Sequence, residues 1–270
     1  MDFNIISDSC CDIPEQLNQD NKVSIVPLSI IMDGTSFIDD EKLNMDLFFQ
    51  KMKESSKITS AAPSPGLYLD KLKSGACNFI VTLSNKVSGS FSSAVASKDL
   101  AEEDKSDIHV FDSLSASAGQ MLIILKIKEL IASGFAKDEI IAKTEIFIKS
   151  MKTYFVSQDL SNFIKNGRLG KVKGKLISVL GIRPVLGADE NGDITFYTHA
   201  RGDNQTVTRL IDLIKNSNKK IEDIVITHCN NSELAAKLRK TIEQTVSLRN
   251  IVVAQTKGLS SMYALSLIHI

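Results

Sequence analysis

The chain has 270 residues, of which 43% are hydrophobic and 6% aromatic, and its 32 basic side chains balance 32 acidic ones. This length and hydrophobic fraction allow two domains with buried cores, while the balanced charge and scarce aromatic residues argue against a nucleic-acid-binding surface. The absence of a signal-like N-terminus, and of any run of about 18 successive apolar residues, predicts a cytoplasmic protein.

Strands and helices are predicted to alternate through the first half of the chain. The predicted strands cover residues 4–7, 23–31, 79–83 and 108–112. Helix starts are indicated at Asp12 with Pro14, at Asn44, at Ser64 with Pro65, and at Ser88 with Gly89. Longer helices are predicted over residues 114–133, before Gly134, and over residues 138–151. This alternation predicts α/β layers with a largely parallel sheet.

The second half shows a different pattern, which places a domain boundary near residue 152. A strand at residues 153–157 and a helix ending at Asn166-Gly167 are followed by two strands around an Asn191-Gly192 hairpin turn. Helices at residues 204–216 and 232–245 alternate with strands at 223–228 and 250–254. We therefore predict an α/β fold of two domains, residues 1–152 and 153–270, the first a layered α/β/α unit.

Two hydroxyl-rich loops, residues 59–66 and 83–90, carry the strongest functional signal. Each is predicted to join the end of a strand to the start of a helix, where unpaired backbone N–H groups and hydroxyl donors converge. Neither loop contains an acid, a histidine or a cysteine. The loops are therefore predicted to hold an anionic group rather than to break a bond, at the carboxyl ends of neighbouring strands.

Other chemistries receive less support from the sequence. No GxGxxG follows the first strand, and Gly170-Lys171 lacks the spacing of a phosphate-binding loop, so no nucleotide cofactor is predicted. A serine hydrolase or acyltransferase could use Ser88 with His228 or His199, although Lys86 stands where a nucleophile elbow needs glycine. Triads form from residues in any sequence order, so this alternative stays open, as does a small-anion or sugar-phosphate sensor.

Several residues have simpler structural interpretations. Serines and threonines before helices are commonly N-caps, and His228 at a strand end could be a structural histidine. Asp8, Asp12 and Asp112 are explained by caps and turns, so no metal site is predicted. The four cysteines form no CxxC pair and are predicted to be reduced and buried. The basic residues 165–175, which include Arg168, form either a solvated helix face or a docking surface.

Together these features resemble the DegV family of bacterial fatty-acid-binding proteins, which serve as the FakB component of fatty acid kinase. The resemblance covers nearly the whole chain and rests on motifs in the family's order. They are Asp8-Ser9 with Asp12, residues 60–65, Leu83-Ser84 with residues 88–90, Asp112-Ser113, residues 166–168, residues 182–186, Arg201, and Thr227-His228.

The resemblance implies a two-domain protein that buries a C14–C18 fatty acid in a tunnel and is not an enzyme by itself. It implies that Ser60, Thr59 and Ser88 hold the carboxylate, with Ser90, His228 and Thr256 as further candidates. An ATP-dependent kinase subunit phosphorylates the bound acid in the family, and by that analogy Arg168 and Arg201 are candidate contacts with the kinase subunit or with the acyl phosphate. Neither a cofactor nor a nucleic acid is implied, and transient membrane contact is compatible with the role.

One departure from the family pattern affects the site. Many members carry a His-x-Gly-Pro-Gly segment near the C-terminus, and its histidine helps to hold the head group. Here the corresponding residues 255–260 contain no histidine. We therefore expect either a different coordination of the carboxylate or a replacement by Thr256.

Overall fold

A computed structural model describes residues 2–19, 23–102, 104–170, 172, 182–217 and 220–263, and the backbone of residues 267–269. The strands of this part are β1 (Asp2–Asp8), β2 (Val23–Val26), β3 (Ser29–Met32), β4 (Thr35–Ile38), β5 (Ile58–Ala61), β6 (Ala76–Thr82), β7 (Ile108–Asp112), β8 (Tyr154–Ser157), β9 (Ile182–Ala188), β10 (Ile194–Arg201), β11 (Asp223–His228), β12 (Asn250–Gln255) and β13 (Leu267–His269).

Most of the described helices lie where the sequence predicts a helix, whereas the last of them, Gly258–Tyr263, is not among the predicted elements. The helices are α1 (Met45–Glu54), α2 (Pro65–Leu69), α3 (Ser90–Leu100), α4 (Ala118–Ala132), α5 (Lys137–Ser150), α6 (Ser161–Lys165), α7 (Gly202–Lys215), α8 (Ser232–Thr245) and α9 (Gly258–Tyr263). Short 3₁₀ helices cover Ser9–Cys11, Glu15–Leu17 and Lys105–Asp107. Within the residues described, none of the helices combines the length and the apolar character needed to cross a membrane.

The first half is built on a four-stranded parallel sheet in the order β2-β1-β6-β7. Successive strand residues face opposite sides, so Ile5 packs with α4 and α5 while Ile6 packs with α2 and α3. Both faces of the sheet are thus covered by helices, which explains why successive residues of β1 and β6 are buried instead of alternating between core and solvent. The predicted α/β/α layering is confirmed.

A separate three-stranded antiparallel sheet, β4-β3-β5, corrects two predictions. Residues 23–31 are two strands in different sheets, because Pro27 lacks the N–H that would continue a ladder. Thr59 and Ser60 lie within the antiparallel strand β5, so the first hydroxyl loop does not follow a strand of the parallel sheet.

The second half forms a mixed sheet in the order β10-β9-β8-β13-β11-β12. Helices α7 and α8 cover one face, and Phe155 and Leu186 are buried with Leu169 in a separate cluster. Helix α9 then packs on the first half, where Leu259 and Met262 join the core around Phe48. The expected boundary between residues 152 and 153 remains a prediction.

Three helix termini show how local chemistry and tertiary contacts compete. Asn44 caps α1 as predicted, since its side-chain oxygen accepts the N–H of Leu47 at 3.0 Å. Asp12 is not the predicted N-cap: it ends the 3₁₀ helix Ser9–Cys11 with φ 49°, and its carboxylate turns to distant partners. The helix predicted from residue 114 begins at Ala118, after Leu114 and Ser117 adopt positive φ.

Replacing Asn44 with alanine is expected to lower the free energy of unfolding by about 1 kcal/mol, because the N–H of Leu47 loses its acceptor. Asn44→Asp keeps an acceptor at the same place and is the matched control. Urea unfolding of both variants provides the measurement. Equal losses in the two would show that the cap does not stabilise α1.

Candidate functional site

A pocket lined by residues from both halves of the chain is the centre of the candidate site. It encloses about 760 Å³, including space open to solvent. Its wall is mainly apolar, with Leu83 from the first half and Phe155, Phe163, Ile194 and Leu259 from the second. Such a wall suits a hydrocarbon ligand, because it removes apolar surface from water without burying unpaired polar groups.

One end of the pocket opens beside the second hydroxyl loop. Val87 and Arg168 line both the pocket and a shallow surface depression, and that depression is also lined by Ser88 and Gly89. The first hydroxyl loop is adjacent, since a Cβ at Gly89 would lie 3.6 Å from the Cβ of Ala62. The two loops predicted to act together therefore meet at the mouth of the pocket.

Ser60 reaches the pocket through a tyrosine that the sequence analysis does not identify. Its Oγ lies 3.0 Å from Tyr263 Oη, and Tyr263 lines the pocket from the end of α9. Burial raises the pKa of Tyr263, so this phenol stays protonated and able to donate a hydrogen bond. Thr59 points away from this pair, because successive side chains of β5 face opposite sides.

Arg168 provides the positive charge at the mouth. Its guanidinium carbon lies 5.9 Å from the centre of the Tyr263 ring, and its Nε and Nη1 donate to the carbonyls of Val87 and Asn166. The Asn166 side chain in turn donates to the carbonyl of Ile58 in β5. These contacts fix the arginine between the two hydroxyl loops.

Ser88 and Ser90 form a local pair at the start of α3. The Ser88 hydroxyl lies 3.2 Å from the Ser90 hydroxyl and accepts the N–H of Ser90 at 3.2 Å. Ser90 is fully buried, whereas Ser88 is half-buried and lines the depression at the mouth. Of the two, Ser88 is the one placed to meet a ligand head group.

Thr256 and His228 lie together but are not among the residues lining this pocket. Thr256 Oγ1 is 2.8 Å from Ser261 Oγ, and its backbone N–H donates to the carbonyl of His228. Burial lowers the pKa of His228. Among the hydrogen bonds of the described residues, none joins Ser88 to His228 or His199, so no nucleophile–base pair is assembled there.

Arg201 lines neither the pocket nor the depression at its mouth. It ends β10, is exposed, and its N–H is accepted by the side chain of Gln205. The basic residues Lys171, Lys173 and Lys175 lie outside the described residues. Within the part of the chain that the structure describes, no cluster of His, Cys, Asp or Glu that could hold a metal ion was found.

Three buried carboxylates, those of Asp8, Asp12 and Asp39, accept hydrogen bonds from segments that form the pocket or adjoin it. Asp8 accepts the N–H of Leu83 at 2.9 Å, and burial raises the pKa of Asp8 to about 6. Asp12 accepts the N–H of Lys257 at 2.7 Å and the hydroxyl of Ser117, and burial raises its pKa to about 7.

Asp39 fixes the N-terminus of α9. Its two carboxylate oxygens accept the N–H groups of Gly258 at 2.9 Å and Leu259 at 3.2 Å, and also the hydroxyl of Ser9 at 2.7 Å. Burial raises the pKa of this carboxyl as well. Because Leu259, Ser260 and Tyr263 all line the pocket, Asp39 positions part of its wall.

The site residues missed by sequence reasoning, Leu259, Ser260 and Tyr263, belong to α9. This helix has only six residues, too few for a helical period to be recognised. Gly258 marks the start of α9, because a Cβ there would lie 2.6 Å from Asp39 Oδ1. This requirement for glycine is visible only in the structure. The four cysteines are free and buried as predicted, and Cys10 lines the pocket.

Comparisons with known proteins agree with this architecture. The family profile described as "Uncharacterised protein, DegV family" matches residues 2–264. A DegV domain-containing protein of Streptococcus gordonii is 35% identical, and the alignment covers 98% of this chain and 96% of that protein.

Two solved structures extend the comparison to bound ligands. A DegV family protein from Ruminococcus gnavus with vaccenic acid has a TM-score of 0.93 and 30% identity, covering 100% of this chain and 99% of that one. The Fatty Acid Kinase (Fak) B3 protein of Streptococcus pneumoniae, loaded with linoleic acid, has a TM-score of 0.89 and 33% identity over the same shares.

Proposed function

This chain belongs to the DegV family, and from that premise we propose that it binds a C14–C18 fatty acid in the pocket between its two halves. The acyl tail occupies the apolar interior, and the carboxylate lies at the mouth near Ser60, Ser88 and Tyr263. One observation carries the proposal: an apolar pocket whose open end coincides with the two hydroxyl loops. The ligands bound by the two similar structures support it.

The acyl tail and the carboxylate head group contribute to the binding free energy in different ways. Each buried CH₂ contributes about 0.8 kcal/mol, so a C16 tail contributes on the order of 10 kcal/mol before entropic losses. The head group needs hydrogen-bond donors, because an unpaired carboxylate in an apolar pocket is costly. Neutral hydroxyls with Arg168 at the rim satisfy it while leaving it accessible for reaction.

The direct test is organic extraction of the purified protein followed by mass spectrometry. We expect a C14–C18 fatty acid at close to one per chain, and uptake of added oleate or palmitate by protein stripped of lipid. Absence of both would refute the proposal, and stabilisation by inorganic phosphate alone would favour an anion sensor.

Tyr263→Phe is expected to weaken fatty acid binding about tenfold, because the head group loses one donor while the ring keeps its packing. Tyr68→Phe is the matched control, since Tyr68 is buried in the core of the first half and lines neither the pocket nor the depression at its mouth. Displacement of a fluorescent fatty acid measures both affinities. Unchanged affinity in Tyr263→Phe would place the carboxylate away from this phenol. Thr59 would then become the next residue to test as a head-group contact.

We also propose that the bound acid is presented to an ATP-dependent kinase subunit, and that the chain alone forms no acyl phosphate. Arg201 is exposed and lies outside the pocket, so it can serve a partner without touching the ligand. Arg201→Ala is therefore expected to slow phosphorylation by the kinase subunit while fatty acid affinity stays unchanged. A parallel loss of affinity would argue against a docking role for Arg201.

A further inference from the structure

Ser115 and Thr153 line the pocket but not the depression at its mouth, and they are 5% and 6% exposed; we call this buried part of the wall the inner end. Ser115 Oγ lies 2.7 Å from Thr153 Oγ1. Thr153 can donate to Ser115 while Ser115 donates to the carbonyl of Ala116 at 3.5 Å, so an apolar chain terminus can lie against both hydroxyls without leaving a buried donor unpaired.

A second cavity lies behind this end of the pocket. It is lined by Ala118 and Gly119, which follow pocket residues 115–117 in sequence, and by Tyr154, which follows Thr153. Its wall combines the apolar side chains of Leu122, Phe147 and Ile224 with charged ones such as Lys126 and Arg249. The start of α4 and the residues entering β8 therefore contribute to both cavities.

Gly119 lies between the pocket and the second cavity and has no side chain to separate them. A Cβ built on this glycine would lie 2.0 Å from Ser115 Oγ and 3.4 Å from Thr153 Oγ1. Gly119, which lines the second cavity, thus directly contacts the hydroxyl pair that lines the first. No side chain at position 119 separates the two.

We propose that the Ser115–Thr153 pair, backed by Gly119, is the stop that sets the longest acyl chain the pocket accepts. This inference rests on the proposed function and adds the determinant of chain length to it. A tail that reaches the pair cannot extend further unless the pair is removed. Beyond it, the second cavity offers apolar surface to additional methylenes.

The wild-type protein provides the first measurement. Affinities for saturated fatty acids from C12 to C22, obtained by displacement of a fluorescent fatty acid, are expected to rise about fourfold per methylene and then to stop rising. The break marks the length at which the tail meets the stop. A rise that continues through C22 would overturn the inference.

Variants then locate the stop. Ser115→Ala/Thr153→Ala is expected to move the break to chains about two carbons longer, with about a fourfold gain for each methylene that enters the second cavity. Gly119→Ala displaces the Ser115 side chain and is expected to move the break to shorter chains. Thr144→Ala is the control, because Thr144 is a fully buried hydroxyl in α5 that does not line the pocket.

The outcomes separate this inference from the proposed function. If all proteins bind fatty acids with the same break, the stop lies elsewhere and the inference fails while lipid binding stands. If the wild type binds no fatty acid, both fail. Should the double variant not fold, Thr153→Ala alone must still move the break, and an unchanged break in that variant overturns the inference.

Discussion

Asp39→Ala is expected to lower the free energy of unfolding by about 3 kcal/mol and to weaken fatty acid binding at least about tenfold. The N–H groups of Gly258 and Leu259 would lose their acceptor in a buried setting, and so would the hydroxyl of Ser9. Helix α9 is too short to be stable without tertiary contacts. Its displacement would carry Tyr263 away from Ser60.

Asp40→Ala is the matched control for this prediction. Asp40 is adjacent in sequence, but its carboxylate accepts only the local N–H of Lys42 at 2.9 Å among the hydrogen bonds described. We expect a loss below about 1 kcal/mol and normal lipid binding. Denaturant unfolding and displacement of a fluorescent fatty acid measure the two effects. Similar behaviour of both variants would show that Asp39 does not anchor α9.

Asp12→Asn is expected to make the protein less sensitive to pH. Burial raises the pKa of Asp12 to about 7 in the folded state, whereas an unfolded aspartate titrates near about 3.9. A raised folded pKa means that stability is fully present below the unfolded pKa and is lost as pH rises through the folded one. The stability that this residue contributes should therefore fall by about 2–3 kcal/mol between pH 5 and pH 8.

Comparing the variant with the wild type isolates this residue from other titrating groups. His109 and His228 have pKa values lowered by burial and oppose the trend below about pH 6.5, but they are present in both proteins. The amide oxygen introduced by Asp12→Asn still accepts the N–H of Lys257, so the variant is expected to gain stability relative to the wild type from pH 5 to pH 8.

Asp33→Asn provides the control for Asp12→Asn. Asp33 also has a positive φ, 45° against 49° for Asp12, but it is exposed and hydrogen bonds from Lys57 and Ser56 lower its pKa. Asp33 is ionised in both states over this range, so the difference from wild type should not change with pH. Unfolding free energies at four pH values suffice. A constant difference for Asp12→Asn would show that this carboxyl is not protonated near neutrality.

Much of the architecture follows from local sequence patterns. The strands of the parallel sheet contain short apolar segments such as Ile5-Ile6 and residues 79–81, because both faces are covered, and their positions are predicted within a few residues. Asn44 caps α1 through its own nearby backbone, and Gly134 follows α4 with φ 79°. These features depend on residues fewer than about five positions apart, so the sequence contains the whole interaction.

The predicted position of the hydroxyl loops, at the carboxyl ends of neighbouring parallel strands, is partly wrong. The loops do converge, but β5 is an antiparallel strand outside the parallel sheet, and this arrangement directs Ser60 toward Tyr263 and Thr59 away. The sequence shows hydroxyl content and not strand pairing. The pairing of β5 depends on β3. The apolar pattern of residues 23–31 does not reveal that β3 is separated from β2 at Pro27.

The sequence by itself determined the family, the layered α/β class and the loops that carry the hydroxyls. Only the tertiary structure decided which of these residues meet. Ser60 lies 203 positions from Tyr263, and Asp12 lies 245 positions from Lys257. The inner wall likewise joins Ser115 to Thr153 across the two halves. Contacts over such separations arise when several elements pack at once, and no local periodicity or propensity encodes them.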